Sequence, residues 1–239
     1  MQIDLFVPCF VDQLYPETAF NAIKVLEFLG CDVHYNPEQT CCGQPAFNAG
    51  HWDEAKLVGE KCIREFNASR PMVVLSSSCT GMFRNYYGKL FHNTALHNQY
   101  KQMQKQTFEF AEFIFEHLPY NKLSARFSHS ITYHDACSAL RECGIREAPR
   151  ALLGQVQGLT YSPLPNNEMC CGFGGTFAVK YEGISTGMAD QKLQHALGTG
   201  AEYLVSADLS CLMHLEAFAK EQKLNIRTIH LADVLAAGW

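Results

Sequence analysis

Cys41-Cys42-Gly43-Gln44-Pro45-Ala46 and, half a chain later, Cys170-Cys171-Gly172-Phe173-Gly174-Gly175 open on the same tripeptide. Each copy is bracketed by one further cysteine on either side. Cys9 precedes Cys41 by 32 positions, and Cys137 precedes Cys170 by 33. Cys79 follows Cys42 by 37 positions, and Cys211 follows Cys171 by 40. One spacing that occurs twice marks an internal duplication.

The flanks of the tripeptides repeat as well. Short β-rich runs, Ile3-Asp4-Leu5-Phe6-Val7-Pro8 and Ile131-Thr132-Tyr133-His134-Asp135-Ala136, lead into Cys9 and Cys137. Ala22, Val25, Leu26 and Leu29 recur at helical spacing, and Gly30 stands where such a helix stops. A strand-like Cys31–Tyr35 precedes the first Cys-Cys-Gly turn, and a second helix is predicted over Asp53–Phe66. Apolar runs Met72–Cys79 and Tyr203–Cys211 read as strands that end on the last cysteine of each half. Phe108–Ile114 and Ile229–Leu235 both alternate and then turn helical, with His230 in the place of Glu109, so His230 is no required ligand of a shared motif. Strand–helix alternation of this kind predicts an α/β fold of two pseudo-two-fold-related repeats, each a mainly parallel sheet with flanking helices. The first repeat is expected over residues 1–122 and the second over 127–239, divided by a polar stretch near Asn121–Phe127.

In each half the patterned cysteines fall just after a predicted strand, and parallel α/β sheets bind ligands beyond the carboxyl ends of their strands. Three loops at one edge would gather Cys9, Cys41, Cys42 and Cys79, and a second edge Cys137, Cys170, Cys171 and Cys211. Consecutive side chains in extended backbone diverge, so a vicinal pair suits a cluster with several metal corners better than one small ion. Gly43 and Gly172 permit a sharp turn, and Gly172-Phe173-Gly174-Gly175 can form a nest whose N–H groups face sulfur.

Composition narrows the setting. The chain has 239 residues, 47% of them hydrophobic, which is ample for a large domain or two smaller ones. Its formal net charge is -5 and no basic run occurs, which argues against a nucleic-acid partner. The start has no export signal and no segment approaches a membrane span, so a cytoplasmic setting is expected. Eleven cysteines, an odd number, in such a chain point to thiolate ligands or reactive thiols rather than disulfides. Cys31 and Cys62 lie outside the repeated pattern and read as buried structural thiols. Cys143, close after Cys137, reads equally as a bystander or a reactive thiol.

The arrangement resembles the cysteine-rich CCG-domain family, whose pattern is a cysteine, a gap of thirty-odd residues, Cys-Cys-Gly, a similar gap and Cys-x-x-Cys. That family includes a cysteine-rich component of heterodisulfide reductase and the iron–sulfur subunits of glycolate and glycerol-3-phosphate oxidising complexes, and the resemblance is nearest to its lactate-utilisation members. It covers nearly the whole chain. The closing motif departs from the pattern: it reads Cys79-Thr80-Gly81-Met82 and Cys211-Leu212-Met213-His214, so the fifth cysteine is missing from each half. Four thiolates per half fit a conventional 4Fe-4S cluster, one or two per chain, rather than the non-cubane type. His214 is a further possible ligand. His134 and Asp135 read as either a strand-end polar pair or a source of a hydrogen bond or proton beside the second cluster.

What the resemblance implies is an iron–sulfur electron-transfer subunit of a multi-subunit, NAD-independent complex that oxidises lactate or a similar 2-hydroxy acid. It implies as partners a ferredoxin-like iron–sulfur subunit and a third lactate-utilisation subunit. No dinucleotide fingerprint and no residues for the hydroxy acid itself are evident, so whether the chain alone is an enzyme stays open. Three other readings stand beside it: a thiol or quinone reductase subunit, a scaffold with zinc in one or both repeats, and a sensor that forms a vicinal disulfide.

Overall fold

The computed structural model describes residues 1–66 and 69–239, and the chain divides into two compact units, Met1–Pro119 and Tyr120–Trp239. Each unit is built on one four-stranded, wholly parallel sheet. The first contains β1 (Gln2–Phe6), β2 (Asp32–Tyr35), β3 (Met72–Val74) and β4 (Thr107–Glu109) in the order β2-β1-β3-β4. The second contains β5 (Ser130–Tyr133), β6 (Thr160–Tyr161), β7 (Tyr203–Ser206) and β8 (Arg227–His230) in the order β6-β5-β7-β8. The two sheets therefore share one connectivity, and the α/β class and the duplication read from the sequence are both present.

Helices fill the crossovers. In the first unit they are α1 (Cys9–Leu14), α2 (Pro16–Phe28), α3 (Gln44–Ala49), α4 (Trp52–Glu65), α5 (Ser77–Gly81), α6 (Tyr87–Phe91), α7 (His97–Lys105) and α8 (Phe110–His117). In the second they are α9 (Glu147–Leu153), α10 (Thr176–Lys180), α11 (Glu182–Leu197), α12 (Leu209–Glu221) and α13 (Leu231–Leu235). Among the described residues, no helix is long and apolar enough to cross a membrane.

Local chemistry explains the boundaries. Ile3, Leu5 and Phe6 are all buried, as expected of a central parallel strand covered on both faces. Asp4, also buried, is tolerated because Arg70 pairs with it at 2.6 Å. Helix α2 starts on Pro16 and ends where Gly30 turns left-handed at φ 95° and the Cys31 N–H reaches the Leu26 carbonyl at 3.0 Å. Glu109 caps α8 by accepting from the Ala111 and Glu112 N–H groups, and Glu112 returns the bond. His230 does the equivalent work at α13, where its Nδ1 accepts from the Ala232 N–H at 3.1 Å.

The strands are shorter than the apolar runs imply. β3 stops at Val74 and β7 at Ser206, short of Cys79 and Cys211. The reason lies in the caps. Ser76 Oγ accepts from the Cys79 N–H, and Asp208 accepts from the Ser210 N–H, so each chain turns into a helix before its cysteine. Cys79 and Cys211 thus sit in first helical turns. Cys9 likewise opens α1 rather than ending β1. Among the described residues, π-helical segments follow two of the cysteines: Met82–Tyr86 after Cys79 and Ala139–Cys143 after Cys137. Such segments are rare and often accompany functional sites.

Candidate metal centre

The turn after β1, the Cys-Cys-Gly loop and the first turn of α5 bring four thiols of the first unit together. Cys9 Sγ lies 4.0 Å from Cys41 Sγ, and Cys42 Sγ lies 3.3 Å from Cys79 Sγ. Cys42 hydrogen-bonds in turn to Cys41, which completes a row Cys9–Cys41–Cys42–Cys79. In the second unit hydrogen bonds link Cys137 with Cys170, Cys170 with Cys171 and Cys171 with Cys211, in the same sequence. In each row the first two thiols are half-buried and the last two buried. All eleven cysteines are free thiols.

The turn itself depends on glycine. Gly43 and Gly172 adopt φ 85° and 96°, and a Cβ on Gly172 would stand 2.5 Å from the Ser185 carbonyl oxygen. This geometry aims backbone N–H groups at sulfur: Gly43 at Cys41 and Gly172 at Cys170, each 3.4 Å, and Phe173 at Cys171, 3.5 Å.

These contacts sort the protons alike in both rows. Hydrogen bonds from Cys42, Cys9 and the Gly43 N–H hold Cys41 down at about 3. Hydrogen bonds from Cys137, Cys171 and the Gly172 N–H hold Cys170 at about 2. Their neighbours go the other way. Cys9, Cys42, Cys137 and Cys171 are all raised, first by the hydrogen bond each donates to a thiolate and then by burial. Cys211 is pulled down by its bond to Cys171, but burial and Asp208 outweigh this and it too is raised.

Each Cys-Cys-Gly loop is tied to the strand beside it. Gln39 exchanges two hydrogen bonds with the Val7 backbone, at 3.2 and 2.8 Å. In the second unit Asp135 does this work: it accepts from Asn167 at 2.6 Å and takes a bidentate pair from Arg150 at 2.9 and 2.6 Å. Asp135 is therefore a structural anchor of the loop.

The surroundings of the two rows differ. Behind the first stand Phe6, Met82, Phe83 and Tyr87, all buried. Cys62 Sγ donates to the Cys41 carbonyl at 3.3 Å, and Tyr87 Oη donates to the Cys42 carbonyl at 3.1 Å. Burial pushes the Cys62 thiol up to about 12, so it stays protonated and structural, although it braces the motif more directly than its place in the sequence suggests. Cys31 is buried beside β2, and Cys143 lies half-buried at the end of a π-helical segment.

Behind the second row stand basic groups. His134 is fully buried, and one of its ring nitrogens lies within 4.8 Å of both Cys171 Sγ and Cys211 Sγ. Burial, helped by Lys192, drops its pKa to about 3, so the ring is neutral. Lys192 is also fully buried and donates to the Asn166 and Asn167 carbonyls at 3.0 and 3.1 Å. Burial lowers it to about 8, against the pull of Cys171, Asp135 and other acidic groups. His214 lies at the rim, its Nε2 3.1 Å from Ser185 Oγ. Sequence reasoning misses Lys192. Its signal is a lysine on the buried α11 stripe of Ser185, Ala189 and Ala196.

The donor chemistry fits a thiophilic metal. Each row offers four sulfurs, one already a thiolate, backed by N–H groups and open on its half-buried side, which are ligands for iron–sulfur clusters or zinc. The duplicated parallel sheets, each with its row of four thiols at the strand ends, define a two-repeat cysteine-rich α/β protein. The cysteine-rich domain model named CCG matches residues 3–84 and again 131–216, and the chain belongs to that family. It is 36% identical to "Lactate utilization protein A 2" of Bacillus cereus (strain Q1), over 100% of this chain and 99% of that one. It is 38% identical to "Lactate utilization protein A" of Geobacillus sp. (strain WCH70), over 98% and 99%. Among solved structures, a hypothetical protein from Helicobacter pylori has the same fold, with a TM-score of 0.69 at 12% identity. The match covers 100% of this chain and 49% of that one.

Proposed function

We propose that this chain is an iron–sulfur electron-transfer subunit of a multi-subunit, NAD-independent complex that oxidises lactate or a similar 2-hydroxy acid. The observation that carries the reading is the pair of four-thiol rows, Cys9–Cys41–Cys42–Cys79 and Cys137–Cys170–Cys171–Cys211, each supplied by one repeat. The names of the relatives support lactate as the substrate class. Residues 1–122 and 127–239 would each hold one centre, the eight cysteines its ligands, and a 4Fe-4S cluster its cofactor. A bound cluster supplies one-electron transfer. The chain's own residues gather the thiols, keep one of each row ionised, point N–H groups at sulfur and leave one side open to a partner. A ferredoxin-like subunit and a third lactate-utilisation subunit would complete the path, with this chain in the cytoplasm.

The test is to purify the protein without oxygen and count iron, acid-labile sulfide and zinc. About four or eight irons per chain with equal sulfide are expected. Zinc without sulfide would replace this reading with a structural scaffold. With the partner subunits added, lactate should bleach the cluster absorbance; failure to do so with iron in place would reject the substrate and keep the cofactor.

A further inference from the structure

The two repeats can be aligned on their cysteines. Three residues before Cys9 stands Phe6, and three before Cys137 stands His134. Both positions are fully buried. Phe6 is accounted for by its neighbours: its ring meets Phe83 edge-on at 5.0 Å and Phe66 at 5.5 Å. His134 is not accounted for in this way. Neither its Nδ1 nor its Nε2 has a hydrogen-bond partner among the described residues. Leaving a buried polar atom unsatisfied costs about 1–3 kcal/mol, so such an atom needs an explanation.

The surroundings supply one. His134, Cys171 and Cys211 present donor atoms all within 4.8 Å of one another, and all three residues are buried. A metal held by two sulfurs at about 2.3 Å and a nitrogen at about 2.1 Å brings its donors together on this scale. At the matching position of the first repeat, the phenyl ring of Phe6 donates nothing.

We infer that His134 supplies a fifth donor, a nitrogen, to an iron of the second repeat's centre beside its four cysteines, so that the chain carries one all-sulfur centre and one mixed sulfur–nitrogen centre. This rests on the iron–sulfur reading above. Asp135, the adjacent residue, is committed to Arg150 and Asn167 and takes no part. His214 is also distinct: its Nε2 already faces Ser185 Oγ and the Ser185 carbonyl.

The experiment loads the full-length chain with 57Fe and sulfide without oxygen, in natural-abundance and 15N-histidine forms. Iron and sulfide are counted first. Electron spin-echo spectra of the reduced protein should then show a strong 15N-histidine coupling, and Mössbauer spectra should resolve one iron unlike the others. Both signals should vanish in His134→Cys, which keeps a donor and retains iron, and in His134→Phe, which copies the first repeat. Both should persist in His214→Gln. Iron and sulfide bound with only a weak nitrogen coupling, or with a strong one lost in His214→Gln, would overturn the assignment of His134 alone. Absence of iron and sulfide would overturn the cluster reading and this assignment together.

Discussion

Cys41 and Cys170 are the ionised members of their rows, and the thiols beside them keep their protons. Metal ligation requires thiolates, so loading must expel those protons. Cys9 and Cys42 are raised in the first row, and Cys137, Cys171 and Cys211 in the second. Zinc added to the metal-free chain at pH 7 should therefore release about two or more protons from the first row and about three from the second. Titration calorimetry in buffers of different ionisation enthalpy measures this, and apparent affinity should fall steeply as the pH is lowered. His230 makes a separate pH prediction. Burial holds its imidazole below the usual value of 6.5. Above that pH the ring is neutral in the folded and unfolded chains alike. Below it the unfolded chain binds a proton that the folded one refuses, so stability falls as pH falls, by up to about 1.4 kcal/mol per pH unit for one such group. His230→Asn keeps an acceptor for the α13 cap. Its urea midpoint should drop less between pH 7 and pH 5.5 than that of the unaltered chain.

At the scale of elements, the Cys-Cys-Gly turns and the loop tethers decide the geometry. Alanine at Gly172 combines a left-handed backbone with a Cβ 2.5 Å from a carbonyl oxygen. Denaturant unfolding should show a loss of about 2–5 kcal/mol, the sum of conformational strain and overpacking. Gly30→Ala, where nothing lies within 4 Å of the new Cβ, should cost only the strain, about 1–2 kcal/mol. Asp135→Ala strips Arg150 and Asn167 of their shared acceptor and should cost about 3 kcal/mol while freeing the loop before Cys170. Periodicity made some helices legible: α2 and α4 lie close to where apolar spacing put them, and Gly30 stops α2 as expected. Strand ends were less legible, because Met72–Leu75 is apolar throughout and the shift to helix is made by one hydroxyl, Ser76. The two-residue strand β6 is too short to carry a period at all. Thiol placement was legible because the cysteine spacing repeats. The unsatisfied imidazole of His134 was not, because satisfaction is a property of neighbours distant in sequence.

At the scale of the molecule, each row of thiols is drawn wholly from one compact unit. The double substitution Cys41→Ser/Cys42→Ser should therefore remove the iron of the first centre and leave the spectra of the second unchanged. Iron analysis with spin-resonance spectroscopy would check this, and loss of both signals would mean that the repeats load as one.

The tethers described above also bear on how a centre would be assembled. Gln39 grips the Val7 backbone, Arg150 and Asn167 grip Asp135, and Ser76 and Asp208 start their helices, all by protein–protein hydrogen bonds. The loops are thus shaped by the polypeptide and would offer a metal or cluster a site already formed. Cys9 with Cys41, and Cys137 with Cys170, form the accessible lip, while the deeper pair of each row forms the floor. A metal or cluster supplied to either unit would therefore meet the half-buried thiols first and would also leave past them.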